Sequence, residues 1–518
     1  MAVFESPFGD IRTSDLSITE RVFEGMQNRD AVTLIDGVTA REWTAGELAD
    51  SVKSFAGGLA ERGFGKGHVI ALMAPNIPEF FTIFHGAAWA GATVTTVNPT
   101  YTAHELQYQL NDAGADLLVT VPAFVETATA GVEGTKVKEI VVIGEAEGAV
   151  PLSEYMGAPL AAQAPVDVAE DVVALPYSSG TTGLPKGVML THRNLVVNLD
   201  QIMPVGRIEP GEVTPAFLPF FHIYGLEVLL NLYLAAGARL VTMPRFDLEQ
   251  FLRQVQEHRA KKLWIVPPVA IALAKHPMID QFDLSSVEQV NSAAAPLGAD
   301  LAEAVGKRLG CHATQAYGMT EMSPASHVTP LPDARAGSVG QTVPGTRCRI
   351  VDSETGADLG PGEEGELWVQ GPQVMKGYLN NPDATAKTLT ADGWLKTGDV
   401  AMFDEDGFLF IRDRVKELIK YKGFQVAPAE LEAEILTHPG VADAAVIGIP
   451  DPEAGEVPMA FLVPAPGASP TEEEIATHLS DRVAHYKQVH KFAFVDAIPK
   501  SASGKILRRV LRDQVAAG

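Results

Sequence analysis

The sequence predicts an α/β fold in two unequal parts. The first is a large N-terminal domain over residues 1–415, made of parallel or mixed sheets flanked by helices and ending in a β-rich subdomain. The second is a small α+β domain over residues 416–518. Three observations lead there. Strand-like and helix-like runs alternate through the first half of the chain, Gly-rich short strands replace that alternation from about residue 335, and amphipathic helices return between apolar strands after residue 415.

The runs "HVIALMA", "GATVTTV", "ADLLVTV" and "KEIVVIG" are short, apolar and rich in β-branched residues, while "TAGELADSVKSFAGGLAERG" has helical spacing. Such alternation builds parallel sheets covered by their crossover helices. It recurs from "ARLVTM" through "KKLWIVPP" to "SVEQVNSAAA", which predicts a second α/β layer. The longest uncharged segment, "FFTIFHGAAWAGATVTTVNPTYTAH", is interrupted by His85, Asn98, Pro99 and several threonines. It therefore reads as a buried helix leading into a strand and not as a membrane span. Beyond residue 335, "CRIVD", "GELWVQG" and "GFLFIRDR" read as hairpin strands. In the small domain "PAELEAEILTH" and "TEEEIATHLSDRVAH" are amphipathic helices. The second carries a Thr471/Glu474 capping box and aligns Ile475, Leu479 and Val483. "ADAAVIGIP" and "KFAFVDAIP" supply strands.

The chain has 518 residues, 46% hydrophobic and 20% charged, with 40 Lys and Arg against 65 Asp and Glu and a formal charge of −25. So acidic a surface disfavours nucleic acid and anionic membranes, and it makes a local cluster of basic residues informative. One such cluster, Lys487, Lys491, Lys500, Lys505, Arg508, Arg509 and Arg512, faces only Asp496 and Asp513 in its stretch and reads as a patch near a nucleotide. Two cysteines, Cys311 and Cys348, exclude a disulfide framework and read as small buried residues. The start "MAVFESPFGD" has acid where a secretory leader has base, which points to the cytoplasm.

Residues 177–187, "YSSGTTGLPKG", gather glycines and hydroxyls around one lysine at the end of the strand-like "DVVALPY". Such a loop has little bulk to bury but can wrap backbone N–H groups and hydroxyls around a polyanion, and phosphate is the expected guest. The nucleotide loop Gly-x4-Gly-Lys-Ser/Thr is excluded, because Pro185 precedes Lys186 and Gly187 follows it.

This string resembles the phosphate loop of the adenylate-forming superfamily, which includes acyl-CoA synthetases, peptide-synthetase adenylation domains and beetle luciferases. Four further stretches agree in order and spacing: "YGMTEM" at 317, "GWLKTGD" at 393, "DRVKELIKYKGFQVAPAELE" at 413 and "PKSASGKILRR" at 499. The similarity covers essentially the whole chain. "GPQVMKGYLNNPDAT" and "KELIKYKGFQVAP" look most like the 4-coumarate–CoA ligase branch.

The resemblance implies a barrel-like β subdomain, a mobile C-terminal domain, and a two-step reaction using ATP, Mg²⁺ and coenzyme A. It places Ser178, Ser179, Gly180, Thr181, Thr182 and Lys186 on the β- and γ-phosphates and Glu321 on Mg²⁺. Thr320 falls on the α-phosphate, Gln315, Ala316 and Tyr317 at the adenosine, and Asp399 and Arg414 at the ribose. Lys505 is the adenylation lysine by this resemblance and Lys416 the hinge. After rotation of the small domain Lys420 and Gln425 would meet the acyl-adenylate, with Gly423, Lys422 and Arg245 toward coenzyme A. His222 would gate the acyl pocket and thiol tunnel. Tyr224, Val228, Ala293, Ala294, Ala316, Gly318, Pro324 and Ala325 would line the acyl pocket.

Hydroxycinnamate-using plant relatives commonly carry glycine where this chain has Ala293 and Ala316, lysine at Asn291 and serine at Val228. These departures predict tolerance of unsubstituted cinnamate or aliphatic acids. The expected activity is an acid–thiol ligase for a cinnamate-type acid, with a medium-chain fatty acyl-CoA ligase as the alternative. A luciferase-like oxygenase, a carrier-loading domain and a silent binding protein are more distant readings. Partners are the acid, ATP and coenzyme A, with monomer and homodimer both open.

Overall fold

The computed structural model describes residues 3–12, 14–178, 185–422, 424–480, 482–502 and 504–517. The expected first layer is a nine-stranded sheet whose centre is Val69–Met73, flanked by Thr93–Thr96 and Leu117–Thr120 in parallel register. Helix Pro78–Trp89 leads into Thr93–Thr96 and is buried along nearly its whole length, as the uncharged segment requires. At the far side Val172–Ala174 pairs antiparallel with Lys186–Thr191, which in turn pairs with Tyr177–Ser178 at the sheet's edge.

The predicted second layer is divided between two sheets. Arg239–Thr242 pairs with Val213–Ala216 and with Val32–Asp36 near the N-terminus. Lys262–Ile265, Gln289–Ser292 and His312–Gly318 form the parallel part of another sheet. Sequence pattern specifies strands but not which distant strand completes a sheet, so the division was not legible.

The β-rich segment is a six-stranded antiparallel sheet in which Arg347–Val351, Gly365–Gln370, Leu395–Phe403 and Leu409–Arg414 follow one another. From Ile419 onward the strands pair only among themselves, around Val441–Asp451 and Gly455–Pro464. The largest buried apolar cluster runs from Ile18 to Leu409, and two separate clusters begin at Ile419 and Ala445.

The Thr471/Glu474 capping box is present, and Ile475 and Leu479 are buried. Helix Glu472–Ser480 stops short of Val483, which is buried from the following turn. Cys348 is buried, but Cys311 is only half-buried because it enters the sheet directly after the left-handed Gly310.

Candidate active site

Ser178 pairs antiparallel with Lys186; residues 179–184 between them, and Gly423, lie outside the described residues. Ser179, Gly180, Thr181 and Thr182 therefore receive no structural description. The strand pair is held from helix Ala103–Ala113: the Tyr177 hydroxyl donates to Asp112 Oδ2 at 2.7 Å and the Tyr108 hydroxyl to the Pro185 carbonyl at 3.0 Å. Lys186 Nζ sits 5.2 Å from the centroid of the Tyr378 ring, within cation–π range. The Tyr378 hydroxyl in turn donates to Glu321 Oε1 at 2.7 Å. Strand Gly377–Tyr378 pairs with Val188 and Met189, which fixes that triangle from the backbone.

Glu321 is 4% exposed and sits in a short 3-10 turn, Thr320–Met322, immediately after strand His312–Gly318. That strand also carries Gln315, Ala316 and Tyr317, and Gln315 Oε1 accepts from the Leu297 N–H. The Tyr317 hydroxyl donates to Asp399 Oδ2 at 2.5 Å, and Arg414 Nε lies 3.1 Å from Asp399 Oδ1. Asp399 and Arg414 stand directly opposite one another across an antiparallel pair. Burial, with the Asp399 charge added, pushes the Tyr317 phenol far above its ordinary range, so it remains a donor.

Lys505 is brought to this cluster by a tight turn. Its N–H donates to Ser501 Oγ, its carbonyl accepts from the Ser501 N–H, and Gly504 N–H donates to the Ser501 carbonyl. Gly504 has φ +80°, and a Cβ there would lie 3.2 Å from Val266, so a side chain would be strained and crowded against the large lobe. Burial and the Arg414 guanidinium lower the Lys505 ammonium to about 8, against the attraction of Asp399 and Glu321. His222 is half-buried; burial and the Lys505 charge hold its imidazole down at about 4. Its Nδ1 accepts from the Tyr224 N–H, leaving the proton of the neutral ring on Nε2.

Of the expected pocket residues, Tyr224 adjoins His222 through its N–H. Tyr224 and Val228 are buried on one irregular helix, Tyr224–Asn231, and the Tyr224 hydroxyl donates to the Ile265 carbonyl at 3.4 Å. Ala293 is half-buried, Ala294 is exposed with φ +72°, and Pro324 and Ala325 are buried. A Cβ on Gly318 would meet the Pro324 carbonyl oxygen at 2.2 Å, so that position admits only glycine. Asn291 is 2% exposed, and neither atom of its amide has a partner among the described residues. Where plant relatives carry lysine, this chain therefore holds a buried amide with hydrogen-bonding capacity to spare.

Lys420 and Gln425 face each other across the hairpin of Ile419–Tyr421 and Phe424–Val426, and both are exposed, as are Lys422, Arg245 and Lys416. These residues are not gathered around Lys505. The basic tail is not a bare patch. Lys487 pairs with Glu430, Lys500 with Asp443, Arg508 with Glu432 and Arg512 with Glu417, acids distant in sequence that no local count could reveal. Among the described residues Lys505 makes no ion pair, and no cluster of three or more metal-ligating side chains occurs. Tyr378 was missed because a two-residue strand leaves almost no signature.

Two family profiles match the chain: that of the AMP-binding enzyme over residues 21–379 and that of the AMP-binding enzyme C-terminal domain over 430–505. A 4-coumarate–CoA ligase 5 from Oryza sativa subsp. japonica is 42% identical, covering 100% of this chain and 98% of that protein. The anthranilate CoA ligase AuaEII in complex with anthranoyl-AMP superposes with TM-score 0.91 at 27% identity, over 98% of this chain and 100% of that one. MatB from Rhodopseudomonas palustris superposes at 0.88 in its ATP-bound form and 0.79 in its apo form, each at 31% identity over 97% of this chain and 99% of that one. No helix among the described residues is long and apolar enough to cross a membrane.

Proposed function

Because this chain belongs to the AMP-binding enzyme family and is an ATP-dependent acid–thiol ligase working through an acyl-adenylate, we propose that its acid is of the cinnamate type, 4-coumarate included. The single observation that supports the site assignment is that the Lys505 ammonium, in the small lobe, lies within electrostatic reach of Arg414, Asp399 and Glu321 of the large lobe. The medium-chain fatty acyl alternative is not favoured by the curated relatives.

In the first step a carboxylate oxygen of the acid attacks the α-phosphorus of ATP, and pyrophosphate leaves. Two anions must approach, so the site has to supply positive charge and alignment. Lys505 supplies a mobile ammonium between carboxylate and α-phosphate, with Thr320 donating to the latter. Lys186 and Ser178, with the loop between them, hold the leaving phosphates. Asp399, already oriented by Tyr317 and Arg414, accepts from the ribose hydroxyls. Gln315, Ala316 and Tyr317 form the adenosine wall.

Mg²⁺ suits the donors present, since one hard carboxylate, Glu321, beside a phosphate site is what that ion commonly uses, the phosphates and water completing its shell. When bound it would neutralise phosphate charge. Glu321 would hold it, kept in orientation by the Tyr378 hydroxyl.

In the second step the coenzyme A thiol sulfur attacks the acyl carbon and AMP leaves. Lys420 and Gln425 then act on the adenylate, with Gly423, Lys422 and Arg245 toward coenzyme A and His222 at the boundary of pocket and tunnel. Their exposure fits a lobe turned for adenylation, as does the higher similarity to ATP-bound than to apo MatB. The lobe boundary at 415/416, with Lys416 as hinge, is part of this proposal; among the described residues no buried apolar cluster spans it. The pocket of Tyr224, Val228, Ala293, Ala294, Ala316, Gly318, Pro324 and Ala325 takes the aryl group, with Asn291 offering its amide to a ring hydroxyl. A cytoplasmic location accords with dependence on ATP and coenzyme A.

The test is acid-dependent AMP release with coenzyme A across aromatic and aliphatic acids. Highest kcat/KM for 4-coumarate or cinnamate is expected. A clear preference for an aliphatic acid overturns the substrate class.

A further inference from the structure

Helix Pro267–Lys275 of the large lobe touches the small lobe at both of its ends. At its start, Val266 and Pro268 lie against Gly504, the residue before Lys505. At its end, Lys275 Nζ donates to the Leu436 carbonyl at 3.0 Å and to the Val441 carbonyl at 3.4 Å. Nine residues of helix separate these contacts by about 13 Å, enough to fix an orientation where one contact would leave a pivot.

Leu436 is the last residue of helix Pro428–Leu436, where carbonyls lack intrahelical donors and the helix dipole favours a cation. Among the described residues the Lys275 ammonium is the donor that the Leu436 carbonyl receives, and no carboxylate pairs with that ammonium. The lysine is therefore committed to carbonyls across the lobe seam and not to a neighbour on its own surface. A third seam contact, Ala429 N–H to Asp413 Oδ2, lies at the hinge itself and cannot resist rotation about a nearby axis with comparable leverage.

We propose that Lys275 is a positioning residue for the first half-reaction: it latches the small lobe in the orientation that presents Lys505 to the nucleotide, and it must release before the thiol step. This rests on the two-orientation reading of the site. Lys275 touches neither ATP nor acid; it acts through helix Pro428–Leu436 on where Lys505 stands.

A latch gives the two half-reactions opposite responses, whereas a merely structural lysine lowers both. Lys275→Met keeps the aliphatic stem and removes the ammonium; Lys275→Arg keeps a cation able to reach carbonyls. Pyrophosphate release with 4-coumarate and ATP is measured beside thioester formation from supplied 4-coumaroyl-adenylate and coenzyme A, using the full chain. Since the contact is partly open to water, Lys275→Met should slow adenylation by about threefold to tenfold. Its thioester rate should be unchanged or faster, and Lys275→Arg should recover most of the adenylation rate. Equal loss in both half-reactions, or no loss in adenylation, overturns the latch. A Lys505→Ala control separates the two ideas: if that variant still adenylates normally, the site reading fails, and the latch with it. If it does not while Lys275→Met behaves as the parent, the latch alone fails.

Discussion

The Tyr378 hydroxyl donates to Glu321 Oε1 at 2.7 Å while the ring of the same tyrosine lies under the Lys186 ammonium, 5.2 Å from its centroid. One side chain thus sets the spacing between a carboxylate suited to a metal and a lysine suited to phosphate. Tyr378→Phe keeps the ring and removes the donor from a buried acid. A lost hydrogen bond to a charged group costs about 1.5–3 kcal/mol, so kcat/KM for ATP should fall by about tenfold or more. Because the pyrophosphate-side machinery has no part in the second step, thioester formation from supplied adenylate should hardly change. Equal loss in both would assign Tyr378 to folding alone.

In the proposed reading Lys505 serves the nucleotide from a turn that carries Gly504 at φ +80°, while Lys420 and Gln425, proposed for the thiol step, are exposed on a separate hairpin. Lys505→Ala should therefore abolish acid-dependent pyrophosphate release by at least two orders of magnitude, roughly the worth of one donor aimed at developing charge. It should leave thioester formation from supplied adenylate largely intact. Lys420→Ala should show the reverse pattern. Parallel loss of both half-reactions in each variant would remove the basis for two orientations.

The Lys505 ammonium is held down to about 8, by burial first and the Arg414 guanidinium second. In the proposed adenylation role the active form is the protonated one, so kcat/KM for adenylation should decline as pH rises through about 8, the free-enzyme value. Bound ATP adds negative charge beside the ammonium, so the decline in kcat should fall at higher pH than that in kcat/KM. The sign for stability is opposite. Between about 8 and 10.5 the unfolded chain binds the proton and the folded one does not, so this lysine's burial costs stability at pH 7 and ceases to as pH rises through that window. Lys505→Arg should flatten the alkaline limb of kcat/KM. A limb unchanged in that variant would belong to another group.

Much of this was legible because the chemistry is concentrated in short strings. "YGMTEM" places Tyr317, Thr320 and Glu321 within one strand and the turn after it, and "KTGD" and "DRVK" place Asp399 opposite Arg414 in adjacent strands. What escaped notice depends on pairing across distance. Tyr378 matters through Glu321, fifty-seven residues away, and Lys487, Lys500, Arg508 and Arg512 of the basic tail pair with Glu430, Asp443, Glu432 and Glu417 from earlier elements. A string reports side-chain types; the register that brings two strings together is set by packing that no local window contains.

The acyl pocket is where composition and geometry pull apart. In the proposed pocket Ala316 takes space that glycine leaves open in plant relatives, while the Asn291 amide, without a partner among the described residues, is buried near the strand that carries Ala316, two residues beyond Thr314, its direct partner. A pocket gains or loses about 1–3 kcal/mol per methylene, and a buried polar group without a partner costs a similar amount. Ala316→Gly should therefore raise the kcat/KM ratio of ring-methoxylated acids over unsubstituted cinnamate by about tenfold, at a strand-stability cost of about 0.5–1 kcal/mol. Asn291→Leu should act on the other axis, lowering 4-coumarate relative to cinnamate, because the phenolic hydroxyl then loses its partner. Competition assays on mixed acids read both ratios directly. If Ala316→Gly leaves the methoxylated ratio unmoved while Asn291→Leu leaves the hydroxylated one unmoved, the aryl group does not sit between these two strands.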